Sequence, residues 1–358
     1  MPIRLVLAAS FICGSALGIA PARALETDQF TLPPRPLVDL GPQVDEYFHK
    51  AIDRAIQRTN QKINALRHQL DSAQNEHDRS DLNKQIQSLQ QPNIIADALF
   101  KDIAHGMPET RLERWLRETD FAEQPVRFDV SCIRSIYAEV LWYKPLLVAA
   151  MAPTIQLHGV QQGTDKIGHF IQQGHKYYRL YREALAAGKT DEEARKIAVD
   201  WGVESEKTWA GQWWTGAYSN ADLAANYAGM KFYLNLTEPV AVGEITRPPI
   251  LMLDDGLWRW NPLAKDDWVA AFISQHFNEA FNPGWVAQPM RDDIAQCIRQ
   301  RAAEWIKHHR TDERTERDRL DRLSRWHGED YGHRGPEGVV NILNAYFEPL
   351  ADPQTTRK

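Results

Sequence analysis

The stretch "GTDKIGHFIQQGHKYY", Gly163 to Tyr178, sets Asp165 and His169 four residues apart, with Gln172, Gln173 and His175 just beyond. On a helix, positions i, i+4 and i+7 or i+8 share a face, so Asp165, His169 and Gln172 or Gln173 project together. An imidazole beside a carboxylate suits general acid/base chemistry near neutral pH, and suits equally the binding of a divalent metal. The next segment, "TDEEARKIAVDWGVESEKTWAG", opens on a capping box of Thr190 and Glu193, which gives a helix there a mechanism. Ala194, Ile197, Ala198 and Trp201 make its apolar stripe. Advancing about 100° per residue from Ile197 places Glu204 about 20° from that stripe and Glu206 on the opposite side, toward water. A carboxylate on a core-facing stripe is costly unless paired or protonated, so Glu204 is expected to stand opposite Asp165 and His169.

A third helix is expected from "YSNADLAANYAGMKFYLNL". Ser219 and Asp222 form an S-x-x-D start, in which Asp222 can be a helix cap and nothing more. Asp222, Asn226 and Gly229 also share a face among Ala221, Ala224, Ala225 and Ala228, small residues that permit close helix approach. Trp209, Trp213, Trp214 and Tyr218, between the second and third helices, could wall a pocket or simply pack in the core. The candidate site is therefore Asp165, His169, Glu204, Asp222 and Asn226, with Asp165, His169 and Glu204 as candidate ligands if a divalent metal binds.

The order "DKIGHF", then an inward Glu204, then "SNADLAANYAG" resembles the D-K-x-x-H-F, E and S-x-x-D-x-x-x-N-x-x-G pattern of the VanZ-like family and of related small envelope lipoproteins. The matching positions are Asp165, Lys166, His169, Phe170, Glu204, Ser219, Asp222, Asn226 and Gly229. The resemblance spans residues 164–229 and implies a candidate site and a cell-envelope context, without a reaction. Two departures stand out. VanZ-like proteins are embedded in the membrane, whereas these helices are amphipathic, and a basic residue of that pattern between the Glu and the Ser has no clear counterpart.

The elements that must position these groups read as mainly α, a multi-helix bundle with a projecting N-terminal helical hairpin. Residues 1–24 have the layout of a cleaved secretory signal: Arg4, an apolar run, then Ala22-Arg23-Ala24, predicting cleavage before Leu25 and a periplasmic or secreted protein. Residues 25–41 read as an extended arm and 42–92 as the hairpin. Val44, Phe48, Ile52, Ala55 and Ile56 recur at helical spacing there, and the polar centre "DSAQNEHDRSD" makes the turn. Residues 93–240 form the central helical core and 241–348 a C-terminal helical region, with a disordered tail at 349–358. Helices are expected at about 93–105, 108–118, 130–150, 165–186, 191–209 and 219–234, in "DWVAAFISQHFNEAF", and from Met290 to Gly328. One short strand is expected within "LTEPVAVGEITRPPILML".

Several classes are disfavoured. The net charge of −6 falls to −8 once Arg4 and Arg23 leave with the signal, which does not favour nucleic acid as a partner. No later stretch has the roughly 18 uninterrupted apolar residues of a membrane span, though peripheral contact is open. There is no G-x-S-x-G elbow, H-E-x-x-H helix, Walker loop or dinucleotide fingerprint. Cys132 and Cys297 could pair across a long loop or stay as separate thiols. His327, Glu329, Asp330 and His333 read as solvated polar residues at a helix end. Glu279 could approach the central cleft, although nothing in the pattern requires it. Two functions of different class follow. One is a hydrolase acting on an envelope glycan, lipid-linked or phosphoester substrate; the other is a non-catalytic binding or structural module of the envelope, in which the same groups fix helix register.

Overall fold

The computed structural model describes residues 27–104, 109–119, 125–131, 134–140, 151–208, 212 and 216–348. The expected signal, Cys132, Trp209, Trp213, Trp214 and the tail lie outside the described residues. The fold is mainly helical, and among the described residues no helix is long and apolar enough to cross a membrane.

Helix α1, Gly41–Ser72, buries the expected stripe of Val44, Phe48, Ile52 and Ala55 and continues to Ile63. The polar turn ends where the Asn75 side chain accepts the Asp78 N–H, capping α2, Glu76–Leu89, which packs back along α1. Helix α3, Pro92–Ile103, starts on a proline, whose missing N–H costs nothing at that position, and lays Ile95, Leu99 and Ile103 in the core. Helix α4, Arg111–Glu118, begins at a capping box of Thr110 and Glu113.

The core of the molecule is built by α5, Thr164–Gly168, which runs through a π-turn, His169–Gln173, into α6, Gly174–Ala186; by α7, Asp191–Lys207; and by α8, Asn220–Asn235. Every residue of α8 is buried, as expected of a helix surrounded on all sides. Its small residues allow this. A Cβ on Gly174 would stand 2.6 Å from Gly229 Cα, and one on Gly229 would collide with the Phe170 carbonyl, so only glycines let α6 and α8 cross so closely. Phe48, Phe170, Phe232 and Trp268 fill the adjoining core with edge-on and tilted ring contacts. A second cluster joins Phe30 of the N-terminal arm to Met290, Ile294, Ile298 and Trp305 of α9, Gln288–His309.

Strands are more numerous than expected and all short. Strands β1, Arg127–Phe128, β2, Thr154–Leu157, and β3, Val160–Gly163, form an antiparallel sheet whose β2–β3 turn uses positive φ at His158 and Gly159. Strand β4, Ala217–Tyr218, pairs with a later Trp285–Val286; between them lie hairpins of β5, Val240–Val242, with β6, Ile245–Arg247, and of β7, Leu251–Asp254, with β8, Leu257–Trp260. The β7–β8 turn is Asp255-Gly256, both at positive φ, the pairing a two-residue hairpin demands.

Two helical expectations fail for identifiable reasons, and a third lies mostly outside the described residues. The segment at 267–281 is not an α-helix but holds two 3-10 turns, Ala270–Phe272 and Gln275–Phe277. There, Asn278 Oδ1 accepts the Ala280 and Phe281 N–H groups and the Asn282 amide donates to the His276 carbonyl, so side chains replace the helical ladder. The described part of 130–150 holds only the 3-10 turn Ala138–Val140. The long C-terminal helix is two: α9 stops at a left-handed Arg310, and Asp312 caps α10, Glu313–Leu323.

Candidate functional site

Where α5 meets the start of α8, the Lys166 side chain, 0% exposed, reaches three carboxylates. Its Nζ donates to Asp165 Oδ2 and to Asp222 Oδ1, each at 2.5 Å, and to Glu279 Oε1. Asp222 then turns its other oxygen to His169, Oδ2 to Nε2 at 3.1 Å, while His169 Nδ1 lies 3.0 Å from Asn226 Oδ1. Asp165, His169, Asp222 and Asn226 are thus brought together as expected. The cap of α8 is Ser219, whose hydroxyl accepts the Asp222 N–H; the Asp222 carboxylate does not cap the helix but enters the site.

Glu204 is not part of this arrangement. Its side chain is 66% exposed and pairs loosely with Lys207, 3.9 Å away. Glu206 is buried instead, its Oε2 accepting the Ser219 N–H at 3.3 Å. The inner face of α7 is not centred on Ile197. Ile197 is 39% exposed, and the buried side runs through Ala194, Ala198, Gly202 and Ser205. Gly202 is obligatory there, since a Cβ would strike the Tyr177 hydroxyl. With that line as the inner face, about 100° per residue turns Glu206 inward and Glu204 away.

The π-turn brings His169 into place over α8. A π-turn inserts one residue into the helical ladder, and such turns recur at functional sites. The turn starts at His169 itself, just after Asp165 and Lys166, and ends where Gly174 meets Gly229.

The remaining side is closed by distant segments. Thr27 Oγ1 donates to Asp165 Oδ1 at 3.1 Å, the Thr27 N–H donates to Glu279 Oε2 at 3.0 Å, and the Glu279 N–H is accepted by Gln29 Oε1 at 2.5 Å. Gly163 makes room for this arm, because a Cβ would strike Thr27 and Asp165. Glu279 also lines a cavity of about 40 Å³ with Thr27, Tyr218, Ser219 and Trp285, enough for one or two waters. Burial pushes the Glu279 carboxyl up to about 7, against the pull of Lys166.

Among the described residues two groups could hold a cation: Asp165, Asp222 and Glu279, already served by the Lys166 ammonium, and His169, Glu206 and Asp222, whose donor atoms lie within 4.8 Å of one another. Three members were not anticipated as site residues. Lys166 was visible in "DKIGHF" but carried no assigned role, Glu206 was assigned to solvent, and Glu279 had no pattern to place it. The polar segment at 327–333 is otherwise engaged: Glu329 accepts from Lys231 at 2.9 Å and from Tyr227, which ties the loop to α8. No family model, curated protein or solved structure matches this chain.

Proposed function

We propose that this chain is an exported hydrolase of the cell envelope, acting on a glycan, lipid-linked or phosphoester bond, with Glu279 as its proton-transferring group. The observation that carries the reading is the placement of Glu279, at once one of three buried carboxylates that meet the Lys166 ammonium and a wall of the adjoining cavity. A carboxyl held near neutrality by burial is suited to give and take a proton at pH 7. Lys166 sets its charge, Thr27 and Gln29 hold it in place, and Asp165 orients Lys166. The signal over residues 1–24, release before Leu25, peripheral envelope contact and a hairpin over 42–92 standing out from the helical body belong to the same proposal.

The competing reading, a non-catalytic module, draws on the complete burial of Lys166. The experiment that separates them assays the purified protein lacking residues 1–24 on peptidoglycan sacculi, a polyprenyl pyrophosphate and p-nitrophenyl phosphate. Turnover of one of these, reduced about 10²–10⁴-fold by Glu279→Gln with folding intact, is the expected result. Absence of turnover on all three, with Glu279→Gln lowering the stability of the protein, would assign the cluster to structure.

A further inference from the structure

We infer that His169, Glu206 and Asp222 form a binding site for one divalent transition-metal cation, of the zinc or manganese kind. The three donors come from three elements: His169 from the π-turn, Glu206 from the last turn of α7 and Asp222 from the first turn of α8. Their donor atoms already lie within 4.8 Å of one another, so a single ion can touch all three.

The supporting contacts are those a ligand set requires. Metal-binding imidazoles have their far nitrogen held by an acceptor, which fixes the tautomer and aims the near nitrogen. Here Asn226 Oδ1 holds His169 Nδ1 at 3.0 Å, and Nε2 is the atom turned to Asp222 Oδ2. Ser219 serves both carboxylate ligands, its N–H holding Glu206 Oε2 and its hydroxyl accepting the Asp222 N–H. Asp222 is divided cleanly: Oδ1 faces the Lys166 ammonium and Oδ2 faces His169. The neighbouring carboxylate triad shows how this interior handles its charge, with a cation at its centre.

Charge points the same way. Among the described residues the cluster holds four buried carboxylates, Asp165, Glu206, Asp222 and Glu279, with Lys166 against three of them and His169 against Asp222. A divalent cation between His169, Glu206 and Asp222 would place further positive charge against two of these carboxylates. One imidazole with two carboxylates suits zinc, manganese or ferrous iron better than calcium, which prefers oxygen alone. Three protein ligands leave a coordination position open, the arrangement of catalytic rather than purely structural sites. The metal's binding stands independently of the hydrolase reading; its chemical role, polarising a substrate oxygen or activating water, rests on it.

The test uses the protein lacking residues 1–24, stripped with a chelator and titrated with Zn²⁺, Mn²⁺, Co²⁺ and Mg²⁺ separately. Binding is followed by calorimetry and by metal analysis after gel filtration. One equivalent of Zn²⁺ or Mn²⁺ is expected, with Mg²⁺ at least 10-fold weaker, and with a Co²⁺ visible spectrum of nitrogen and oxygen ligation lacking a thiolate charge-transfer band. Glu206→Gln and His169→Ala should weaken binding at least 100-fold, Asn226→Ala about 10–100-fold, and Glu204→Gln not at all. Less than 0.1 equivalent bound by folded wild type, or equal binding by folded His169→Ala and Glu206→Gln, overturns the site. If those two variants do not fold, the wild-type stoichiometry and Co²⁺ spectrum decide alone. Metal bound without turnover sinks the hydrolase reading and leaves this one, and turnover by folded wild type that binds less than 0.1 equivalent does the reverse.

Discussion

Lys166 carries the electrostatic balance of the interior, one ammonium between three carboxylates with no exposure to water. Removing one partner of a buried ion cluster leaves charge uncompensated, at a cost of about 3–5 kcal/mol. Lys166→Met should therefore lower stability by that much at pH 7.5 and by clearly less at pH 5, where the carboxylates can take up protons; denaturant melts at both values check it. Glu279 has a pH signature of its own. Its folded pKa of about 7 stands above the ordinary 4.5 of a glutamate, so its contribution to stability is fully present below about 4.5 and is lost as pH rises through about 7. The stability of wild type minus that of Glu279→Gln should fall steadily between pH 5 and pH 8, and a difference flat across that range would refute the assignment. Glu204→Gln, at an exposed position, should change stability by no more than about 0.5 kcal/mol.

At the scale of elements, the site is framed by glycines at helix contacts. Gly202→Ala drives a methyl into the Tyr177 hydroxyl, and overpacking of this kind costs about 1–3 kcal/mol. Adding Tyr177→Phe should return part of that loss, a coupling that a double-mutant cycle measures. Gly229→Ala has no such partner to trim, because the obstacle is the Phe170 carbonyl, and should be the more damaging change. These contacts also explain how far the sequence could be read. The helix carrying Asp165 and His169, the S-x-x-D start at Ser219 and the small-residue face of α8 all follow from local spacing, and the structure has them together. The rotation of α7 could not be read so simply, since Ile197 and Trp201 outweighed a line of alanine, glycine and serine whose burial depends on what packs against it. Glu279 was beyond reach for a different reason: its segment is shaped by Asn278 and Asn282 bonding to nearby backbone, and its place by an arm 250 residues earlier.

For the molecule as a whole, three histidines, His276 buried and His309 and His333 half-buried, set the acid limit. Burial pushes His276, His309 and His333 down to about 4, so each is neutral in the fold at pH 7. A depressed histidine contributes stability that is present above its unfolded pKa of about 6.5 and is lost as pH falls through about 4. Unfolding free energy should therefore drop between pH 6.5 and 4, opposite in sign to the Glu279 contribution over much of the same range. Replacing His276, His309 and His333 together by uncharged residues should flatten the acid limb, as urea titrations at closely spaced pH values would reveal.

The bond from the Thr27 N–H to Glu279 joins residues 252 apart in the chain. A polypeptide emerging with its N-terminus first holds the arm, Lys166, His169 and Asp222 in hand long before Glu279 arrives. Closing so long a loop is slow relative to forming the helices inside it. The carboxylates therefore remain hydrated and separate during synthesis, and the charged interior is assembled late, once the C-terminal third is present. Any fragment ending before Glu279 would carry the motif without the carboxylate that completes the Lys166 cluster.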